Sequence, residues 1–316
     1  MELYVFSIPM TTRFRGISVR EGVLFEGPAG WAEFSPFWDY DARQSAPWLA
    51  AAEDSAQHAW PTALRDRIPV NCTVPAVSAA RAAAVVHASN GCRTAKVKVA
   101  EPGQNLADDI ARVEAVRDAL GAGGKIRIDV NGLWSVDEAI QRIPVLDRAA
   151  GGLEYVEQPC ATVEELALVR RKVSVPIAAD ESIRHAADPM RVVTLEAADI
   201  AVLKVQPLGG VAACLRIAEQ IGIPVVVSSA LETTIGLAAG LALAAALPEL
   251  PYACGLATMS LLTADVVNDS LRHVAGELSA GRPTLDPDRL AACAADEETT
   301  ARWVARLDDI RRWKAA

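Results

Sequence analysis

Short apolar runs recur along the middle of the chain at residues 95–99, 126–130, 153–157, 177–180 and 200–205, separated by amphipathic, helix-like segments. Strand-length runs that alternate with single helices predict successive βα units of a parallel sheet. Further strands are predicted at 70–77, 223–228 and 252–256. Together they suffice to close a (β/α)8 barrel, an α/β fold. Helix starts are signalled by Ser135 with Glu138 and by Thr162 with Glu165, both at the S/T-x-x-E spacing of a capping box. Upstream, the runs 3–7, 17–25 and 31–34 and a helical stretch over 46–64 predict a small α+β capping domain. After Gly281 the pattern turns polar, and Trp303, Leu307, Ile310 and Trp313 recur at helical spacing, a stripe expected to dock on that first domain. The division expected is therefore a cap over 1–68, joined by the segment 282–316, and a catalytic barrel over 69–281. The apolar segment 235–247 is too short to span a membrane, and its Gly and Ala content suits a helix packed closely on the barrel.

Each central run ends on an ionisable side chain: Lys98, Asp129, Glu157, Asp180 and Lys204. In a closed barrel the C-terminal strand ends meet at one face, so five strands would deliver these groups to one place. Side chains alternate along a strand, which makes Lys96 and Lys98 share a face, as do Arg127, Asp129 and Asn131. Two inward lysines, each near a like charge and partly desolvated, are expected to have lowered pKa values, toward a neutral amine able to take a proton. The bland alternative is a solvated lysine face on an edge strand. For the acids it is helix capping after each strand, yet three acids in consecutive units converge better as oxygen ligands for a hard cation such as Mg2+.

Composition narrows the class further. A chain of 316 residues, 51% apolar, can bury a large core, and a net charge of -9 argues against nucleic acid as a partner. An anionic substrate would need a locally positive site. Residues 1–10 carry no secretory pattern, and Cys72, Cys92, Cys160, Cys214, Cys254 and Cys293 form no CxxC pair, which points to reduced thiols, a cytoplasmic location and no membrane partner. His58, His87, His185 and His273 have no metal-ligand spacing and read as structural.

The order KVK at 96–98, DVNG at 129–132, EQP at 157–159, ADES at 179–182 and LKVQPLGG at 203–210 resembles the enolase superfamily, in its muconate-lactonising subgroup. The short length and the segments IPM, TTRFRG, GWAEFSPF, VNCTVPAV, SSALETTIGL and GLATMSLLTADV resemble an actinobacterial dehydratase branch of menaquinone biosynthesis. That enolase-superfamily sites pair a Lys or His base with one or two Mg2+ ions is general knowledge; its placement on these residues comes from the motifs. The resemblance implies Asp129, Glu157 and Asp180 as metal ligands, Mg2+ as cofactor with Mn2+ as the alternative, and an enediolate formed by proton abstraction α to a carboxylate. It implies Lys98 as the base that then returns the proton to a departing β-hydroxyl, a syn dehydration of a small dicarboxylate to an aromatic product. Lys204 would stay cationic opposite it, and Lys96 and Asn131 would tune the base and touch substrate. Ser228 and Ser229, before a helix, offer hydroxyls and free N–H groups to the second carboxylate, or else simply cap that helix. By resemblance the α/β fold is a modified (β/α)8, or (β/α)7β, barrel, and Arg13 and Arg15 lie in a loop that folds over its mouth. The protein is expected to be a monomer or small homo-oligomer. Racemisation of N-succinylamino acids or dipeptide epimerisation is the alternative within the superfamily, although dipeptide epimerases typically carry D-x-D on the eighth strand where this chain reads Ala253, Cys254, Gly255, Leu256. Outside it, a glycosidase barrel would use Glu157 and Glu232 and give the two inward lysines no role, and a non-catalytic, metal-stabilised barrel is the bland reading of the whole set.

Overall fold

A computed structural model describes residues 3–185 and 188–315, so residues 1, 2 and 316 of the expected cap lie outside the described residues. The chain opens on strands β1 (Leu3–Phe14), β2 (Ile17–Gly27) and β3 (Gly30–Phe34), an antiparallel sheet in that order, followed by helix α1 (Ala42–Gln57). β1 runs well past residue 7: the Thr-rich stretch to Phe14, read as a loop from sequence, pairs with β2 through a register shift after Pro9, and the hairpin turns at Arg15 and Gly16. The capping box of α1 is built by Asp41 and Gln44.

β4 (Arg67–Pro69) leads into the barrel, which runs β5 (Cys72–Val74), α2 (Ala79–His87), β6 (Thr94–Lys98), α3 (Leu106–Leu120), β7 (Lys125–Asp129), α4 (Val136–Ala150), β8 (Leu153–Glu157) and α5 (Val163–Arg170). It continues through β9 (Ile177–Ala179), α6 (Glu181–Arg184), α7 (Arg191–Thr194), β10 (Ile200–Leu203), α8 (Val211–Ile221), β11 (Val225–Val227) and α9 (Thr234–Ala246). The seven strands β5 to β11 form one parallel sheet in sequence order. The expected strand at 252–256 is reduced to two parallel bridges, Cys254 to Val70 and Gly255 to Ser228, which join the two sheet edges. Backbone hydrogen bonds from Cys254 N to Pro69 O and from Gly255 N to Val227 O complete the closure. The expected first strand at 70–77 is likewise shorter, because Val70 is given to this closure and the chain turns outward after Val74.

Ser135 with Glu138 and Thr162 with Glu165 form reciprocal capping boxes at the starts of α4 and α5. α9 is buried over nearly its whole length, as its Gly and Ala content requires. The chain ends with β12 (Glu277–Ser279), antiparallel to β4, then α10 (Pro287–Ala292) and α11 (Glu297–Ala315). Trp303, Leu307 and Ile310 of α11 are buried in one cluster with Phe34, Phe37 and Trp48. Trp303 meets Phe34 edge-on at 6.0 Å. Trp313 departs from the expected stripe: near the helix end it is 48% exposed.

Candidate active site

Register alone brings the strand-end groups together. Lys98, Asp129 and Glu157 are consecutive partners across β6, β7 and β8, and Lys96 pairs with Arg127 one step deeper. Partners in a parallel ladder face the same way, so these side chains enter the barrel in layers. A bulge in β8 skips Glu154, whose carboxylate turns to Arg127 in the floor of the barrel, where Arg127 also donates to Tyr155 Oη at 2.9 Å. Arg127 is thus committed to the floor rather than the mouth. Four non-glycine residues just beyond the strand ends, Ala100, Asn131, Gln158 and Leu231, have left-handed backbones (φ 62°, 51°, 40° and 65°). Such strain persists where surrounding contacts over-determine it, commonly at functional sites.

The three acids are fully buried and each is met by a cation. Lys98 Nζ donates to Asp129 Oδ2 at 2.5 Å and Asn131 Oδ1 at 2.6 Å. Lys96 Nζ donates to Glu157 at 3.1 and 3.2 Å and lies 3.5 Å from Asp129. Lys204 Nζ donates to Asp180 Oδ2 at 2.6 Å, and Arg184 Nε to Asp180 Oδ1 at 3.0 Å. Burial drives the Glu157 carboxyl up to about 7, with Asp129 adding to the rise against Lys96. At Asp129 burial pushes the same way, but Lys98 and Lys96 outweigh it and hold the group at about 2. Asp180 is also held below its ordinary range, burial being overcome by Arg184 and Lys204. The expected lowering of both lysine pKa values does not hold for Lys96. Burial alone would lower it, yet Glu157 and Asp129 at contact distance raise it above the ordinary lysine value.

Beside these groups lies a cleft of about 550 Å3, partly open to solvent, lined by Lys96, Lys98, Asp129, Asn131, Lys204, Ser228 and Ser229 together with Phe14 and Arg15 of the cap, while Glu157 and Asp180 are not part of its lining. Lys98 Nζ lies 5.2 Å from the centre of the Phe14 ring. Of the two arginines expected at the mouth, Arg15 lines the cleft, stacked 3.9 Å over Phe37, whereas Arg13 is exposed on the other face of β1. Neither serine caps α9. Its cap is Thr233, and the free N–H groups expected to hold an anion are already taken: Thr233 N and Gly236 N donate to Glu33, and Thr234 N to Asp265. The serine hydroxyls stay on the cleft lining for a ligand, Ser229 Oγ sharing a hydrogen bond with Thr258 at 2.8 Å. Glu232, the second acid of a glycosidase, is buried against Ala230 N outside the cleft lining, which removes that reading.

The sequence reading missed Arg184, Tyr40 and Gln158. Arg184 sits one turn after Asp180 on α6, an i, i+4 spacing that could have signalled it, and bonds Tyr40 Oη from the cap. Gln158 Oε1 accepts from Asp180 N at 3.0 Å and Ser182 N at 3.1 Å, tying the ends of β8 and β9 together. His185 approaches the same corner, 3.1 Å from Tyr40 Oη, and burial and Arg184 lower its pKa to about 4.

Among the described residues no three His, Cys, Asp or Glu side chains stand gathered about one point as a finished metal cage. The donor set nevertheless fits a hard divalent cation. Three buried carboxylates lie at adjacent strand ends, their oxygens facing Lys96, Lys98, Lys204 and Arg184, and Glu181 Oε2 beside them is buried with no partner.

Residues 78–285 match the family described as Enolase C-terminal domain-like and residues 5–56 its N-terminal domain-like counterpart. The chain is 64% identical to o-succinylbenzoate synthase of Thermobifida fusca (strain YX), over 97% of this chain and 95% of that protein. The chain belongs to the o-succinylbenzoate synthase family of the enolase superfamily. Identity to the family member from Mycolicibacterium smegmatis is 56%, over 96% of this chain and 94% of that one. Enzymes of this family depend on a divalent metal. Among solved structures, muconate lactonizing enzyme from Pseudomonas fluorescens complexed with muconolactone superposes with a TM-score of 0.80 at 21% identity, covering 93% of this chain and 98% of that one, a likeness of fold. No helix among the described residues is long and apolar enough to cross a membrane.

Proposed function

We propose that this chain is a carbon–oxygen lyase that dehydrates 2-succinyl-6-hydroxy-2,4-cyclohexadiene-1-carboxylate to o-succinylbenzoate in menaquinone biosynthesis. One observation carries the chemistry: Lys98 and Lys204 line one cleft from strands four apart in an eight-position barrel, each paired with a buried acid. A base on one face and a cation opposite suit removal of a proton α to a carboxylate, where negative charge must be stabilised as it forms.

In this reading Asp129, Glu157 and Asp180 would hold Mg2+, with Mn2+ the alternative, and the bound cation supplies Lewis-acid stabilisation of the substrate carboxylate. Lys98 Nζ takes the α-proton and then gives it to the β-hydroxyl leaving from the same face, so the loss of water is syn. Lys204 remains an ammonium and lowers the energy of the developing negative charge from across the cleft. Lys96, bridging Glu157 and Asp129, keeps two like charges apart at tolerable cost. Asn131 holds Lys98 by its oxygen and Glu181 by its amide at 3.2 Å, which orients the base. Ser228 and Ser229 receive the succinyl carboxylate with their hydroxyls. The six free cysteines suit a cytoplasmic enzyme.

The test is direct. Purified protein with Mg2+ and the hydroxycyclohexadiene precursor should yield the aromatic product, and a chelator should stop it. Failure to form aromatic product under metal saturation would overturn the assignment.

A further inference from the structure

The cap does more than cover the cleft, because two of its buried side chains reach into the barrel. Arg20 of β2 is 2% exposed and Glu33 of β3 is 3% exposed. Arg20 Nε donates to Leu231 O at 2.9 Å, and its Nη2 to Ala230 O at 3.2 Å and Ser35 Oγ at 2.8 Å. Glu33 Oε2 accepts from Thr233 N at 3.0 Å, Thr233 Oγ1 at 2.6 Å and Gly236 N at 3.2 Å, while its Oε1 accepts from Ser35 Oγ at 2.6 Å. Gly236 is required there, since a Cβ would lie 2.9 Å from Glu33 Oε2 and closer still to Glu232.

These contacts bracket the connection from β11 to α9. Its residues Ser228, Ser229, Ala230 and Leu231 all line the cleft, and Leu231 has the left-handed backbone. A non-glycine residue in that conformation costs about 1–2 kcal/mol and needs something to hold it. Arg20 holds its carbonyl, and Glu33 anchors the helix start at Thr233 and Gly236 just beyond it. A single buried arginine reaching two consecutive carbonyls cannot be replaced by lysine, whose one nitrogen lacks the fork.

We propose that Arg20 and Glu33 are positioning residues for substrate specificity: from the cap, they set the conformation of the 228–231 segment that receives the substrate's second carboxylate. The inference rests on the assignment of Ser228 and Ser229 to that carboxylate. It makes docking of the cap and recognition of the succinyl arm one event, while the proton-transfer groups on β6 and β10 stay as they are.

The experiment compares two competitive inhibitors of the metal-loaded enzyme, o-succinylbenzoate, which carries the arm, and benzoate, which lacks it. In Arg20→Lys the inhibition constant of o-succinylbenzoate should rise about tenfold and that of benzoate stay within about twofold, with substrate KM rising more than kcat falls. Glu33→Gln, nearly isosteric, should shift the same ratio in the same direction, and it carries the test if Arg20→Lys does not fold by circular dichroism. A ratio unchanged in the folded variants, or a loss equal for both inhibitors, overturns the inference. Ser228→Ala and Ser229→Ala separate the two levels. If they raise the ratio of the o-succinylbenzoate constant to the benzoate constant and the cap variants do not, the positioning role alone fails; if none of the four changes it, the receptor assignment fails with it.

Discussion

In the proposed mechanism Lys98 is the side chain on which turnover would depend most directly. It stands at the end of β6 with Asn131 on one side and the Phe14 ring above, at the lip of the cleft where a bound substrate would lie. Lys98→Ala should reduce dehydration and α-proton exchange by about 10^3-fold or more, within the range of a lost general acid–base. Metal affinity should survive, because no oxygen donor is removed; calorimetry with Mg2+ on the variant checks this, and turnover within about tenfold of the parent would exclude Lys98 as the base. Lys204→Ala should cost about 10^2- to 10^3-fold in kcat, the loss of a fixed cation from a desolvated site. Asp129→Asn, Glu157→Gln and Asp180→Asn should each weaken Mg2+ binding in titration calorimetry, and unchanged affinity in all three would discard the ligand set. These five positions are legible in the amino-acid sequence because strand parity and βα spacing fix both face and depth. Arg184 is legible only through its i, i+4 spacing from Asp180, and Arg20 and Glu33 are not legible at all. Their partners lie across the cap interface up to 211 residues away in sequence, and no local pattern encodes a contact of that kind.

At the scale of elements, the strands are legible to within a few residues wherever an apolar run is bounded by a charged end and a helix cap. They are least legible where tertiary closure decides. Residues 252–256 carry a strand-like run but give only two bridges, because two sheet edges share them. β1 extends through polar threonines although its ladder with β2 is interrupted between Pro9 and Phe14, because the segment 260–262 contacts it there, through the Met10–Leu262 bridge and Thr11 Oγ1 bonds to Ser260 O and Leu261 O. The junction of β3 with α9 has a measurable consequence. Burial raises the Glu33 carboxyl from 4.5 to about 7, with Arg20 opposing and Glu232 adding to the rise. A folded-state pKa above the unfolded one means that protonation favours the fold. The contribution is complete below about 4.5 and is lost as pH rises through about 7, with a span of about 3 kcal/mol. Glu33→Gln removes this titration, so the melting temperature of the parent relative to the variant should fall between about pH 4.5 and 7.5. A difference flat across that interval would show that Glu33 does not titrate there.

Across the whole molecule, charge and shape decide which member of the superfamily's repertoire this barrel can run. The chain carries -9 overall, yet its cleft is lined by Lys96, Lys98, Lys204, Arg15 and Arg184, with Asp129 among them. A dicarboxylate brings one anion for the metal side and one for the serine side. A dipeptide brings an ammonium, whose desolvation must be offset by an acid near the end of the eighth strand. None is present at residues 253–256, and at Gly255 a Cβ would crowd Ser228, lying 2.5 Å from its Oγ. The enzyme should therefore dehydrate its dicarboxylate precursor with a kcat/KM at least about 10^3-fold above that for epimerising L-Ala-L-Glu, the discrimination expected when a polar group is left unpaired. Measuring both in one preparation decides the matter, and equal efficiencies would defeat the dehydratase assignment while leaving the fold and the metal chemistry untouched. N-succinylamino acids belong in the same assay. They carry two carboxylates and no free ammonium, so the charge argument penalises them least, and their racemisation should exceed dipeptide epimerisation while using the same pair, Lys98 and Lys204, from opposite walls of the cleft.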